Sequence, residues 1–341
     1  MTKLPDISSI KCLEDALELC SEIKQDLILE NKIIYEGHPA WRELGELILK
    51  VVESGESVLE LGASFSYFGQ LILSQKENCC YLGIEKDVAS SYIAGKVIDP
   101  FKSGVVLHSS LEYETLKMLD DSCTIFDVVI LGSLINQLSS DHFTESCAII
   151  DRISPKIIFD LESIEESVAQ DIFSCFRTEL DALKTLFPTK DFEQIAVIDG
   201  SPVFMGTQKG GKNNYKKTAR DPYIGKISNE RKYFIRGDKM IKQNLLNPHN
   251  EVVVLQPGFS LWDWSMCGKI MSPSKEKISQ QAIEKFKQLP KTATDIRPWN
   301  MIWSAEGLTY IDTVSQHEPD HCNFNEDDIN IVLNWIDSVF K

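Results

Sequence analysis

The sequence lacks three features that would each define a class of protein. No run of eighteen apolar residues occurs among its 341 residues, so we expect no membrane-spanning helix. Its N-terminus has no basic flank followed by an apolar stretch, so we expect no secretory signal. The nine cysteines show no CxxC spacing, which disfavours both a zinc site and a disulfide framework. Together these absences predict a cytoplasmic protein with reduced thiols.

Basic residues are scarce over the first 208 positions, where 16 Lys and Arg face 35 Asp and Glu, a balance of −19. Residues 209–341 carry 19 basic and 16 acidic residues, a balance of +3, and 11 of the basic residues fall within 209–242. The acidic part would repel nucleic acid, so a nucleic-acid partner is not expected. The basic segment suits either docking of a phosphate or another anion, or a solvated linker.

From Val58 onward, short apolar strands alternate with helices, which predicts a mostly parallel sheet covered on both faces. The last two strands are separated only by Gly200 and Ser201, too few residues for a parallel crossover, so they should form an antiparallel hairpin. The fold class is therefore α/β, a doubly wound sheet of seven strands with an antiparallel terminal hairpin. The predicted strands are 57–61, 80–85, 104–108, 126–131, 156–160, 194–199 and 202–207.

A polar, glycine-rich stretch after the hairpin breaks this periodicity and predicts a domain boundary. Before the sheet, helical spacing runs from 12 to 53 and is interrupted by a loop at 31–39. The predicted units are N-terminal helices with a lid at 1–56, the sheet domain at 57–208, a linker at 209–222 and a small α+β unit at 223–341.

The turn after the first strand is suited to close approach of a ligand to the backbone. The strand ends in Glu60-x-Gly62, and the small residues Ala63 and Ser64 follow. Glycine allows a sharp turn here, whereas large side chains would keep a ligand away. The second strand closes in Glu85, 23 residues after Gly62, which is the place from which a carboxylate accepts hydrogen bonds from ribose hydroxyls.

These segments resemble the first two motifs of class I methyltransferases, which use S-adenosylmethionine (SAM). In that family the acidic residue that Glu60 matches supports the glycine loop, and the loop packs against the methionine part of SAM. Ser64 and Ser66 stand where the family usually has glycines. The resemblance implies a SAM-binding, Rossmann-like domain with Glu85 on the ribose.

The resemblance continues over the next two strands. Ser110 and Leu111 follow the third strand, where the family places small polar residues around the adenine. Gly132 follows the fourth strand, whose end lies under the reacting methyl group in the family. An NAD-binding domain is disfavoured because GxSxS replaces GxGxxG and because the terminal hairpin is antiparallel. A doubly wound domain that does not bind SAM stays open, as does a family member without activity.

Methyl transfer from a sulfonium depends mainly on positioning and a dry site, so an obligatory base is not expected. Two histidines are candidates for a direct role: His38 in the lid loop and His108 at the end of the third strand. No NPPY-like motif follows the fourth strand, which disfavours adenine and glutamine amides as acceptors. A small-molecule or saccharide acceptor, including an anionic one, stays open, with a hydroxyl, carboxylate, amine or phosphate as the methylated group.

In the second unit, Asp295-x4-Asn300 is followed twelve residues later by Asp312. This spacing resembles the catalytic loop and metal-binding Asp of small-molecule kinases, such as the aminoglycoside and choline kinases. The resemblance implies that Asp295 orients an acceptor hydroxyl, that Asn300 and Asp312 hold Mg²⁺, and that Lys242 contacts phosphate. The helix that carries the partner Glu in kinases does not fit between the strands after Lys242, so the sequence predicts a shrunken kinase-like domain that is inactive.

Two other functions stay open. A bifunctional methyltransferase and kinase would be similar to enzymes that terminate O-antigen polysaccharides by phosphorylating and methylating the chain end. A non-catalytic scaffold would use two degenerate domains to bind partners. The segment His317 to Cys322 could bind a metal, but it has no matching second pair of ligands, so a surface loop is favoured and no metal site is predicted.

Overall fold

The structure of the protein is a computed structural model. It describes residues 10–20, 24–30, 32–121, 126–131, 138, 140–160, 168–211, 217–221, 226–236, 239–244, 251–254, 258–290, 293, 296–310 and 327–340. No helix among these residues is both long enough and apolar enough to cross a membrane.

The described elements alternate between strands and helices along most of the chain. The strands are β1 (Leu27–Leu29), β2 (Lys32–Tyr35), β3 (Ser57–Leu61), β4 (Cys80–Glu85), β5 (Gly104–His108), β6 (Val128–Leu131), β7 (Lys156–Asp160), β8 (Lys190–Ile198), β9 (Ser201–Gln208), β10 (Lys217–Asp221), β11 (Lys226–Arg236), β12 (Lys239–Asn244), β13 (Glu251–Val254), β14 (Gly258–Ser260), β15 (Lys269–Ser272), β16 (Met301–Ser304) and β17 (Gly307–Tyr310). The α-helices are α1 (Leu13–Leu19), α2 (Pro39–Val51), α3 (Tyr67–Gln75), α4 (Val88–Ile98), α5 (Tyr113–Asp121), α6 (Phe143–Ile153), α7 (Val168–Ser174), α8 (Glu179–Leu186), α9 (Leu261–Cys267), α10 (Lys275–Phe286) and α11 (Asp328–Val339).

A large sheet lies at the centre, in the order β15-β5-β4-β3-β6-β7-β9-β8. Strands β3 to β7 are parallel to one another, and Leu61 of β3 pairs with Ile84 on one side and Leu131 on the other. Every residue of β3 and β4 is buried, as expected for parallel strands covered on both faces. The predicted doubly wound, mostly parallel α/β sheet is confirmed at this level.

The predicted terminal hairpin is present and is formed by β8 and β9, with β9 antiparallel to β7. Ile198 pairs with Ser201, so the turn residues are Asp199 and Gly200, at φ of 50° and 83°. Two consecutive positive φ angles define a type I′ turn, whose twist matches that of antiparallel strands and which favours an Asp-Gly pair. The turn therefore begins one residue earlier than the predicted Gly200-Ser201.

The prediction of seven strands is wrong by one, because β15 adds an eighth strand at the edge. It pairs antiparallel with β5, with Ile270 opposite Leu107. No local pattern indicates this pairing, since β15 is four residues long and its partner lies about 160 residues earlier in the chain. Trp264 and Phe126 also meet edge to face, with ring centroids 6.0 Å apart.

Elements on both sides of the predicted linker therefore share one sheet and one core. The hydrophobic cluster on one face of the sheet includes Leu107, Phe126, Trp264, Ile278 and Trp303. A second cluster, on the other face, is formed with helices α2, α3 and α4. The division of the chain at 209–222 stays a prediction.

The rest of the C-terminal part contains two antiparallel sheets. One has the order β10-β11-β12-β13 and the other the order β14-β16-β17. In this part the sequence predicts two helices, at 274–287 and 326–340, and they correspond to α10 and α11.

Two helix predictions are wrong. Residues 27–35 were expected as the end of a helix followed by a loop, but β1 and β2 form an antiparallel hairpin with Ile28 opposite Ile33. The contiguous apolar run at 27–29 fits a short strand better than one face of a helix. The spacing of apolar residues over 164–186 predicts a single helix, whereas the described part of this range contains two helices, α7 and α8. The Thr178 hydroxyl caps α8 by accepting the Asp181 N–H at 3.1 Å.

Candidate functional site

The turn between β3 and α3, residues 62–66, forms a loop with an unusual backbone, which we call the glycine loop. Gly62, Ser64 and Ser66 have φ angles of 77°, 47° and 58°, all in the left-handed region that glycine adopts most readily. The N–H groups of Gly62 and Ala63 both donate to the Ile84 carbonyl, at 2.9 and 3.0 Å. The two serines therefore hold the conformation that glycines would hold, at the carboxyl edge of the sheet.

Glu60 lies in β3, two residues before Gly62, and is 2% exposed. Its Oε2 accepts a hydrogen bond of 2.6 Å from the Tyr81 hydroxyl. Burial raises the pKa of Glu60 to about 8, although the Tyr81 hydroxyl lowers it in part. The Tyr81 ring lies where a side chain at Gly69 would stand. The Glu60 carboxyl group is therefore held in the interior by Tyr81, and its support of the glycine loop stays a prediction.

Glu85, at the end of β4, is bonded directly to the glycine loop. Its Oε2 accepts the Ser64 N–H at 2.8 Å, and its Oε1 accepts the Asp87 N–H at 2.7 Å. Burial raises the pKa of Glu85, and the N–H groups of Asp87 and Ser64 oppose that shift. Each carboxylate oxygen has a second lone pair, so Glu85 is able to accept further hydrogen bonds from a ligand.

His108 ends β5 and pairs in register with Glu85. It is 2% exposed, and neither ring nitrogen has a hydrogen-bond partner among the described residues. Burial lowers the pKa of His108, which favours the neutral form of the ring. The backbone carbonyl of His108 lies against Gly268, where a Cβ would not fit. Because β5 lies next to β4 in the sheet, His108 is on the same side of β3 as β4.

The two predicted adenine contacts follow His108 directly. Leu111 is buried and Ser110 is half-buried. The neighbouring Ser109 hydroxyl donates to the Cys267 carbonyl at 2.6 Å, and the Ser109 N–H donates to the Glu85 carbonyl at 2.9 Å. These bonds fix the segment beside Glu85 and tie it to the C-terminal part of the chain.

Sequence reasoning missed Gln25, which contacts the glycine loop from the N-terminal segment. Its Oε1 accepts the Phe65 N–H at 3.2 Å. The side chain is 1% exposed, and its Nε2 has no hydrogen-bond partner among the described residues. A buried amide donor without a partner is costly, which points to a ligand group that would satisfy it. A lone glutamine outside any motif gives no signal in the sequence.

Asp26 holds the predicted lid in place through bonds to Gly37 and Arg42. We call these three residues the Asp26 clamp. Asp26 accepts the Gly37 N–H at 2.6 Å and two bonds from the Arg42 guanidinium, at 2.7 and 3.0 Å. Burial acts to raise the pKa of Asp26, but Arg42 and the Gly37 N–H together lower it below its usual value. The clamp fixes the chain between β1 and α2 next to Gln25.

His38 is the N-cap of α2, where its Nδ1 accepts the Ala40 N–H at 3.4 Å. The side chain is exposed. When Nδ1 accepts, the neutral ring carries its proton on Nε2. His38 is therefore placed at the N-terminus of α2, and no contact joins it to Glu85 or the glycine loop among the described residues.

Several predicted site residues are not brought to this region by the described structure. Gly132, Asp295 and Asp312 lie outside the described residues, as does the segment from His317 to Cys322. Asn300 is 2% exposed in a short 3-10 turn. Lys242 lies on β12, opposite Val252 of β13. The predicted convergence of the kinase-like residues stays a prediction.

Comparison with known proteins gives similarity to solved structures alone, since no family model and no curated protein matches the chain. The N-terminal domain of EvdMO1, crystallised with SAH and D-fucose, is 17% identical with a TM-score of 0.41, over 60% of this chain and 98% of that one. The bifunctional kinase-methyltransferase WbdD is 14% identical with a TM-score of 0.43, over 89% and 82%. The CurJ carbon methyltransferase is 11% identical with a TM-score of 0.39, over 51% and 56%. The function of the site has to be argued from its own residues.

Proposed function

We propose that the protein is a methyltransferase that uses SAM and acts on a small-molecule, saccharide or phosphate-bearing acceptor. The observation that carries the proposal is the bond between the Glu85 carboxylate and the Ser64 N–H. It joins an acidic strand end to a left-handed loop at the carboxyl edge of a parallel sheet. This edge, where β3 has β4 on one side and β6 on the other, is where open α/β sheets bind nucleotide-like ligands.

The residues around this edge fit the parts of SAM. Gly62 presents no Cβ and Ser64 a small one, so the loop backbone is open to the methionine part. The remaining lone pairs of Glu85 accept the ribose hydroxyls. Ser110 and Leu111 flank the adenine, with His108 on the same side, and Gly132 follows β6 towards the methyl group. The Nε2 of Gln25, which has no partner among the described residues, donates to the carboxylate of the methionine part.

When bound, SAM supplies a methyl group on a positively charged sulfur. The chain's own contribution is to hold the acceptor in line with that group and to exclude water. His38, the exposed N-cap of α2, is the candidate that assists proton removal. His108 lies beyond β4, which favours a contact to the cofactor over a role in methyl transfer.

Binding of S-adenosylhomocysteine (SAH) to the Glu85→Ala variant tests the proposal. Loss of hydrogen bonds to a charged acceptor should weaken binding by about 1.5–3 kcal/mol. Glu77→Ala is the matched control, because Glu77 is exposed at the opposite end of β4. Calorimetry that shows no SAH binding to the wild-type protein would refute the methyltransferase, and equal affinity in the Glu85→Ala variant would remove Glu85 from the site.

The kinase-like resemblance does not change this proposal. We assign strands β15 and β16 a structural role, because β15 completes the central sheet and Trp303 of β16 lies in the shared core. The C-terminal part is then inactive in phosphate transfer. ATP turnover that requires Mg²⁺ and is lost in the Asp312→Ala variant would favour the bifunctional enzyme. Failure to bind either SAH or ATP would favour a scaffold.

A further inference from the structure

The Ser109 hydroxyl joins the candidate cofactor site to the C-terminal part of the chain. It lies 2.6 Å from the Cys267 carbonyl oxygen and 3.2 Å from the Ser110 carbonyl oxygen. A hydroxyl has one proton, so the shorter bond, to Cys267, is the principal one. Ser109 is 1% exposed, so little water competes for that bond. The bond connects two segments that are 158 residues apart in the chain.

Further contacts hold the same junction together. The residue after Cys267 is Gly268. A Cβ at Gly268 would collide with the His108 carbonyl oxygen and would lie 2.8 Å from the Ser109 Cβ. Lys269, the first residue of β15, pairs with His108, the last residue of β5. The chain after α9 is therefore packed directly against the backbone at 108–109, so a displacement of one would displace the other.

Ser109 is also bonded to the strand that carries Glu85. Its N–H donates to the Glu85 carbonyl oxygen at 2.9 Å. In the sheet, β4 has β5 on one side and β3, with the glycine loop at its end, on the other. The segment 109–111 therefore lies beside the residue that we assign to the ribose, on the side away from the glycine loop.

The covalent structure of SAM directs the base towards this segment. The ribose carries the amino-acid part on its 5′ carbon and adenine on its 1′ carbon, so the two parts extend to opposite sides of the sugar. With the amino-acid part at the glycine loop and the hydroxyls at Glu85, adenine extends to the β5 side. Adenine has an amino donor and ring-nitrogen acceptors, and polar groups in fixed positions distinguish it from other bases.

We propose that Ser109 is a positioning residue that sets the base specificity of the cofactor site, because its hydroxyl anchors the segment 109–111 to the C-terminal part. This inference rests on the proposed methyltransferase function. The C-terminal part then acts on the site through the segment that it holds. Loss of the hydroxyl leaves Ser110 and Leu111 in the chain but releases them from the position in which they meet adenine.

Calorimetry with two ligands tests this role. S-Inosylhomocysteine differs from SAH only in the base, where an oxygen replaces the amino group and the neighbouring ring nitrogen carries a proton. We expect the wild-type protein to prefer SAH about tenfold, and Ser109→Ala to reduce that preference to about twofold. A structural weakening of the whole site would lower both affinities equally and leave their ratio unchanged.

Ser154→Ala is the matched control. Ser154 is fully buried, and its hydroxyl donates to the Lys156 carbonyl at 2.8 Å, at the start of β7 and therefore at the opposite edge of the sheet. This variant loses a similar bond and should keep the preference for SAH. A second variant, Gly268→Ala, keeps Ser109 but forces apart the chains that pack at the junction. It should reduce the preference as Ser109→Ala does.

The outcomes separate this inference from the methyltransferase itself. Absence of SAH binding to the wild-type protein overturns the proposed function. If SAH binds, an unchanged preference in Ser109→Ala, or an equal reduction in Ser154→Ala, overturns the role of Ser109 alone. Equal binding of both ligands to the wild-type protein overturns it as well, because the held segment then does not read the base. If Ser109→Ala does not fold, Gly268→Ala decides by the same ratio.

Discussion

At the scale of single residues, the glycine loop depends on a backbone conformation that its serines adopt at a cost. Ser64 has a φ of 47°, where the Cβ of an L-residue is crowded by its own backbone. Its N–H is held by Glu85, so the conformation is fixed by a bond and not by the side chain. The serine hydroxyl has no role in that bond.

Replacing Ser64 by glycine should therefore stabilise the protein. We expect the free energy of unfolding to rise by about 0.5–1 kcal/mol. Glycine removes the steric cost of the left-handed conformation, but part of this gain is lost because glycine has more conformational freedom in the unfolded chain. Urea denaturation of the protein without ligand measures this. Ser64→Ala is the control, since it keeps the Cβ and should give no gain. A gain with alanine as large as with glycine would show that the backbone is not the cause.

Gln25 offers a second test at this scale, since its two amide atoms have separate roles. Oε1 accepts the Phe65 N–H, and Nε2, which no other described residue binds, is assigned to the methionine carboxylate. In Gln25→Glu an acceptor for Phe65 remains, but the donor is replaced by oxygen. SAH should bind at least tenfold more weakly to that variant, by about 1.5–3 kcal/mol.

The comparison ligand is 5′-methylthioadenosine, which has no amino-acid part. Its affinity should be the same for wild type and Gln25→Glu, because the ribose and adenine contacts are unchanged. Calorimetry with both ligands distinguishes the alternatives. Equal losses for the two ligands would mean that Gln25 acts only by shaping the loop.

At the scale of elements, the segment from β1 to α2 is held in place by the Asp26 clamp. The carboxylate binds a backbone N–H on one side and a guanidinium on the other, and it is 6% exposed. Gly37 is required at this point because a Cβ would collide with the backbone of Lys24 and Gln25. The clamp therefore determines how Gln25 meets the glycine loop.

Acid should open this segment before it unfolds the sheet. Because the folded-state pKa of Asp26 is lowered, the clamp stabilises the protein above the ordinary Asp pKa of about 3.9, and this contribution is lost as the pH falls through the folded-state value. At pH 7, Asp26→Asn should lower the hydrogen-exchange protection of the Gly37 amide at least tenfold. Asp120→Asn, which removes a surface pair with Arg152, is the control. Unchanged protection of Gly37 would show that the clamp does not hold the segment.

The elements also show what could be predicted from the sequence. Strands β3 to β7 and the β8–β9 hairpin were predicted within a few residues, since apolar runs, Glu85 and Gly200 are local signals. Strand β15 could not be predicted, because its pairing with β5 depends on contacts far apart in the chain. The same holds in the site. Glu85 belongs to a motif, whereas Gln25 becomes functional only through its contact with Phe65.

At the scale of the whole molecule, residues after the predicted linker contribute to the hydrophobic core of the part that precedes it. Trp264 and Trp303 are both fully buried in the cluster that contains Phe126. Lys277 also donates to the carbonyls of Asp99, at the end of α4, and Phe101. These contacts couple the folding of the two parts.

Thermal unfolding should accordingly show one cooperative transition for the full chain. Independent units would unfold separately, whereas elements that share a core lose their packing together. Gly268→Val, which places a side chain against the His108 carbonyl, should lower that single transition temperature by displacing β15. Differential scanning calorimetry measures both effects. Two resolved transitions, with only one affected by Gly268→Val, would contradict the shared core.

The late position of β15 in the chain has a consequence for synthesis on the ribosome. Strand β5 is made about 160 residues before the strand that covers its outer edge. Throughout that interval the nascent sheet presents an unpaired edge, a surface on which other strands readily add. The edge of β5 can be covered only when the last quarter of the protein has emerged. Premature termination after β9 would therefore release a chain with its β5 edge uncovered.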